Sequence, residues 1–202
     1  GEFGAVGAMA GKLRERMPAD LVILTSALIA DLERENLVNA SMANLGWVET
    51  ALAVRAGDPA LSVHDAASLR DALLNADAIF VPDTKASTAG AHVAKVLQQL
   101  GIAETVAERL KIYPNGATAM RHLAESVAAR PIGCTQSTEI INTNGVILSG
   151  PLPRGCDLST LYTAAIAAGA SRPREAQVLI DLLTNRDQQE LRTDAGFLDA
   201  RN

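Results

Sequence analysis

Residues 78–101 read AIFVPDTKASTAGAHVAKVLQQLG, an apolar run, a polar loop and a helical repeat in succession. Ala78, Ile79, Phe80 and Val81 form a short apolar run of strand character that Pro82 and Asp83 bring to an end. After a small polar loop, Val93, Val96, Leu97 and Leu100 recur at helical spacing. The loop is therefore a strand-to-helix turn. Ser87 and Thr88 are natural N-cap residues, and Ala89 and Gly90 leave the backbone uncovered where the first amides of a helix have no partner of their own. The helix dipole adds partial positive charge at the same end, so hydroxyls and N–H groups there suit a small oxyanion or carboxylate. The same pattern also describes an ordinary capped helix.

Outward from this stretch the grammar repeats. Residues 111–114 read as a strand, and Asn115-Gly116-Ala117-Thr118 opens a helix carrying Met120, Leu123 and Val127. Residues 131–135 are a further strand, with Gln136-Ser137-Thr138 at its carboxyl end before a short helix over 139–142. Upstream, the spacing predicts a helix over 7–17, a buried strand over 21–24, and a helix capped by Thr25-Ser26 and ending near 37–39. A strand over 47–54, an amphipathic helix over 65–75 and a short helix over 104–110 complete that half. Downstream come strands over 146–152 and 161–168, then a helix over 174–184 with Ala176, Val178, Leu179, Ile180, Leu182 and Leu183 on its apolar side. A second helix over 186–193 precedes a tail expected to be loose after Gly196. Strands alternating with helices give an α/β fold with a mainly parallel sheet, whose ligands bind outside the carboxyl ends of the strands. The loops at Ser87, Asn115 and Gln136 all lie there.

A chain of 202 residues with an apolar fraction of 48% and few aromatics is long enough to bury a real core. Its net charge is −5 and its Lys and Arg residues are scattered, which argues against a nucleic-acid partner. The longest apolar runs, such as that around Ala164 to Ala170, are far shorter than the roughly 20 residues of a membrane span. No secretory signal is visible at the N-terminus. Cys134, in a strand-like run, and Cys156, in a Pro/Gly loop, are expected as free thiols, the first one buried.

Catalytic patterns are sparse. G-x-S-x-G, the P-loop and a G-x-G-x-x-G after a strand are absent, and so is metal-ligand spacing. His64, His92 and His122 are far apart and fall on or beside helices; pairing one of them with Cys134 as nucleophile and base finds no support in spacing. Near the three loops, the charged groups are Lys85, Glu139 and Arg154. Lys85 suits either neutralisation of an anionic ligand or an ordinary exposed loop.

The order of these segments carries a resemblance. Pro18-Ala19-Asp20-Leu21-Val22-Ile23, the strand near Trp47 to Val54, and Asp83 through Ser87-Thr88-Ala89-Gly90 into Leu97-Gln98-Gln99-Leu100-Gly101 resemble the molybdate-binding-protein-like branch of the type II periplasmic solute-binding proteins. The likeness continues through Gly150-Pro151-Leu152-Pro153 and Leu182-Leu183-Thr184 to Ala195-Gly196-Phe197, nearly the whole chain. It implies two α/β lobes, lobe 1 from residues 1–56 and 150–202 and lobe 2 from 57–149, hinged near 55–58 and 151–154. The lobes would close on a small oxyanion or organic carboxylate in an interlobe cleft, in the periplasm, for delivery to an ABC transporter permease without catalysis or cofactor.

Position by position, the resemblance assigns the ligand to Ser87, Thr88 and Ala89 of the first loop, Ala117 and Thr118 of the second, and Gln136 and Ser137 of the third. Backbone N–H donation is expected from the first two loops, and side-chain hydrogen bonds from Ser87, Thr88 and Gln136. Ala5 and Val6 stand where the family carries serine hydroxyls, and Gln136 where molybdate binders carry a tyrosine, so molybdate itself is not the expected ligand. The family's Gly-Ser-Ser-Gly-like loop reads Phe3-Gly4-Ala5-Val6-Gly7 here, which implies that the usual first strand and helix of lobe 1 are lacking. An apolar sheet position left open in that way invites a partner strand or a homodimer. This motivates an alternative, a ligand-sensing or protein-interaction module that kept the fold and lost transport.

Overall fold

The structure, a computed structural model, describes residues 1–199. By contacts the chain forms two units, residues 1–48 together with those from 160 onward, and residues 49–159. The chain passes between them within two strands, β2 (Val38–Arg55) and β7 (Ser159–Ala167). The boundary expected at 56/57 falls just after β2 and that at 149/150 within a strand over Val146–Pro151, both inside the second unit, as are the expected hinge segments 55–58 and 151–154.

In the first unit, α1 (Val6–Arg14) leads to β1 (Leu21–Thr25) and α2 (Ser26–Arg34), and after β7 the chain adds α8 (Pro173–Thr184) and α9 (Gln189–Asp194). β1 runs antiparallel to β7, from Leu21 opposite Ile166 to Thr25 opposite Tyr162. Side chains of a strand alternate between faces. Ala165 and Ala167 accordingly join Leu13, Leu24, Ile29 and Leu32 beneath α1 and α2, while Ala164 and Ile166 meet Leu45, Ala176 and Ile180 beneath α8. β1 stands at the end of the strand order, and only Leu24 and Thr25 of its five residues are buried, fewer than the sequence led us to expect. α2 stops at Arg34, because Asn36 takes a left-handed backbone (φ +56°) and turns Leu37 and Val38 into β2. The tail is pinned as far as Leu198, whose N–H and C=O exchange hydrogen bonds with Trp47 at 2.7 and 2.8 Å.

The second unit is built on β3 (Ala78–Pro82), every residue of which is buried. β4 (Leu110–Tyr113) and β5 (Pro131–Gln136) flank it in parallel, and β2 then pairs antiparallel with β5 and with β6 (Val146–Pro151). Parallel pairing, expected for most of the sheet, is thus confined here to β4, β3 and β5, and the sheet is mixed. Apolar periodicity cannot distinguish the two, since both strand directions share the period of two. One face packs Leu52, Ile79, Val81, Ile132 and Cys134 against α3 (Ala66–Asn75) and α4 (Thr88–Gln99). The opposite face sets Ala51, Ala53, Ala78 and Phe80 against α6 (Gly116–Ala124) and Ile140 of α7 (Ser137–Ile141). The short α5 (Ala103–Val106) links α4 to β4. Val127 lies beyond the end of α6 and is fully exposed rather than on its apolar side.

Candidate functional site

Parallel strands β3, β4 and β5 end together, and a helix begins after each: α4, α6 and α7. The first of these turns is fixed by its own side chains. Asp83 Oδ1 accepts the N–H groups of Lys85 and Ala86, both at 2.7 Å, and its carbonyl accepts that of Ser87 at 3.1 Å. These amides, Ala86 before Lys85, hold the Asp83 carboxyl below the usual carboxylate range. Ser87 is the N-cap of α4, its Oγ accepting from the Gly90 N–H at 3.4 Å. A Cβ at Gly90 would lie 2.2 Å from the Asp83 carbonyl oxygen and 2.5 Å from that of Pro82. Glycine there lets the helix sit directly on the end of β3. Among the described residues, no acceptor meets the N–H groups of Thr88 and Ala89. They are the free donors at the positive end of a 12-residue helix.

The second turn is already filled. Asn115 caps α6 by accepting the Thr118 N–H at 2.9 Å, and Thr118 Oγ1 accepts from Arg121 Nη2 at 3.0 Å. Glu139, on α7, reaches back so that its Oε1 accepts the Gly116 N–H at 3.1 Å, with the N–H groups of Ala117 and Gln136 also bonded to the carboxylate. Thr135 Oγ1 donates to the other oxygen. Gly116 leaves room for this, since a Cβ there would lie 1.9 Å from Glu139 Oε2. Burial pushes the Glu139 carboxyl up, and the four hydrogen bonds only partly oppose that shift. The Ala117 and Thr118 N–H groups, expected to donate to a ligand, are held here by the protein's own carboxylate and by the Asn115 cap.

Gln136 and Ser137 are buried at the end of β5, with Gln136 directly opposite Thr50 of β2. Ala5 and Val6 belong to the first unit, where Ala5 precedes α1 as a cap residue without a side-chain bond. The structure thus brings Ser87, Thr88, Ala89, Ala117, Thr118, Gln136 and Ser137 together at one end of the second unit's parallel strands. Lys85 and Arg154 have exposed side chains. Cys134 and Cys156 are both buried free thiols, and burial pushes Cys134 up to about 12. In the sequence Glu139 stands only as a charge near a loop; its bond to Gly116 spans 23 positions, and no local pattern announces it.

Residues 1–198 match the family described as bacterial extracellular solute-binding protein. This chain belongs to that family. The solute-binding chain is also 23% identical over 195 residues to an aconitate isomerase from Pseudomonas sp, covering 94% of this chain and 71% of that protein. It shares its fold with the periplasmic molybdate-binding protein of Azotobacter vinelandii (TM-score 0.79, 14% identity, 98% of this chain and 86% of that one). The sulfate-binding protein SubI of Mycobacterium tuberculosis H37Rv is similar as well (TM-score 0.74, 20% identity, 97% and 74%). The type II, molybdate-binding-like fold expected from the order of the segments is the fold found.

Proposed function

We propose that this solute-binding chain captures a small anion, an oxyanion or organic carboxylate, at the amino end of α4 and supplies it to an ABC-type transporter in the periplasm without chemistry. The observation that carries the reading is the pair of unpartnered N–H groups at Thr88 and Ala89, set on the end of β3 by Gly90. Neutral donors aligned with a helix dipole favour negative charge, and Ser87, Thr88 and Gln136 add polar side chains to the same end. Molybdate, sulfate and aconitate, named for its relatives, are all anions. A ligand that binds only the folded protein stabilises it by about 2.7 kcal/mol at a hundred times its Kd, a rise of roughly 5–10 °C in Tm for a chain of this size. Thermal denaturation with sulfate, molybdate, phosphate and trans-aconitate tests this. A rise with one or two of them is expected, and no rise with any overturns the reading.

A second reading, carboxylate isomerisation, follows from the aconitate isomerase relative. Incubation with cis-aconitate and NMR detection of the trans isomer decides it, with binding but no conversion expected. Self-association is the remaining corollary, through β1 at the end of the strand order, where Ile23 is exposed. Size-exclusion chromatography decides that point, a monomer removing it.

A further inference from the structure

Thr50 is almost wholly buried in β2, and its hydroxyl has no hydrogen-bond partner among the described residues. Its backbone is fully committed: the N–H donates to the Leu158 carbonyl at 2.8 Å and the C=O accepts from the Leu152 N–H at 3.1 Å. Leaving a buried hydroxyl unpaired is unfavourable, and such groups are rare in native proteins unless something outside the fold completes them.

Register gives the direction of this side chain. Alternation puts Thr50 on the same face of β2 as Leu52, and Leu52 packs with Cys134, Val81 and Val93 on the face that carries α4. Directly opposite Thr50 in the antiparallel pair is Gln136, two positions beyond Cys134 on β5. β5 runs parallel to β3 with Phe80 level with Gly133, a register that, continued three residues on, carries Gln136 toward Asp83. The Asp83 carbonyl is the atom against which Gly90, in the first turn of α4, is seated. Leu158, which binds the Thr50 N–H, ends the loop whose Cys156 carbonyl meets His92 Nε2 of α4 at 2.8 Å. Sheet row and loop thus set Thr50 on the face of the sheet that carries α4, in the row that leads toward Asp83.

We infer that Thr50 is a ligand-binding residue whose hydroxyl completes the anion site formed by the Thr88 and Ala89 amides. The inference rests on the reading proposed above and adds a group of different chemistry. The amides only donate, whereas the Thr50 hydroxyl both donates and accepts. The site thereby meets a ligand oxygen that carries a proton as well as one that carries charge, which suits a partly protonated oxyanion or a carboxylic acid.

The test is Thr50→Val, which keeps the side-chain shape and removes the hydroxyl, beside Thr50→Ser, which restores it. Affinity for phosphate, sulfate, molybdate and trans-aconitate is measured by isothermal titration calorimetry, and the ligand-free Tm is recorded for each protein. Thr50→Val is expected to bind the wild type's preferred probe about 10-fold or more weakly, with a ligand-free Tm equal to or above wild type. Thr50→Ser is expected to recover most of the affinity. Unchanged affinity in Thr50→Val overturns the inference while leaving the proposed function standing. A lowered ligand-free Tm in Thr50→Val overturns it as well, since that marks a hydroxyl paired within the fold. If no probe binds wild type, the reading beneath the inference fails and the inference with it.

Discussion

At Gly90 a single methyl group decides whether α4 can rest on the end of β3. The atoms it would strike are backbone carbonyls, which cannot swing aside as a side chain can. Gly90→Ala is therefore expected to lower stability by about 1–3 kcal/mol in urea denaturation and to weaken anion binding at least 10-fold, because the free amides move with the helix. Glu139 makes a second prediction. Its carboxyl is raised by burial, so the native state holds that proton more tightly than the unfolded chain does. The stability of wild type relative to Glu139→Gln should then rise as the pH falls from neutral toward the ordinary glutamate value of 4.5. Asp20, Asp65, Asp77 and Asp83 act in the opposite sense; their carboxyls are held low, and the stability they give is lost only as the pH falls below 3.8. A difference between the two proteins that is flat from pH 7 to 4.5 would contradict the assignment. Cys134, buried and pushed up to about 12, should resist iodoacetamide until the protein unfolds, as mass spectrometry of intact protein can read. Local chemistry of this kind was legible in the sequence where it is local. Thr25, Ser87 and Asn115 all cap the helices that their position predicts. The Glu139 carboxylate and the orphan Thr50 hydroxyl were not legible, because each depends on a strand brought alongside by tertiary pairing.

Among the elements, β3 and α4 came through almost as their sequence reads, since an apolar run ended by Pro82-Asp83 and a helical repeat leave little else to form. α8 is the instructive failure. Its apolar residues cover most of its circumference, yet only Ala176 and Ile180, one turn apart, are buried, while Val178, Leu179 and Leu182 are 68%, 42% and 51% exposed. Periodicity marks a helix with an apolar side but does not say how wide a stripe its neighbours will cover. Ile180→Ala should accordingly cost about 2–5 kcal/mol, and Val178→Lys and Leu182→Lys about 0.5 kcal/mol or less, in chemical denaturation. Equal losses at all three positions would mean that the outer face of α8 is covered in solution. Strand direction was the other element-scale loss. The pairing of β2 with β5 and β6 joins residues some eighty to a hundred positions apart, and nothing in the local pattern of either strand records it.

For the molecule as a whole, the order of segments was more informative than any one of them. It pointed to the solute-binding family that residues 1–198 match, although single motifs along the chain are weak. The candidate site draws on one continuous stretch of chain, residues 49–159, in which three strand-to-helix turns meet. The turn into α6 is occupied by the protein's own groups, Asn115 and Glu139, and the amino end of α4 is left with donors to offer. On the function proposed above, these donors hold a small anion. Native mass spectrometry of the purified protein, before and after dialysis against sulfate, molybdate, phosphate and trans-aconitate, reads this occupancy without an intermediary. One small anionic mass per chain is expected, retained or taken up by wild type and absent in Gly90→Ala. A wild-type chain that remains empty under all four conditions, or a Gly90→Ala variant that carries the same mass equally well, would contradict it.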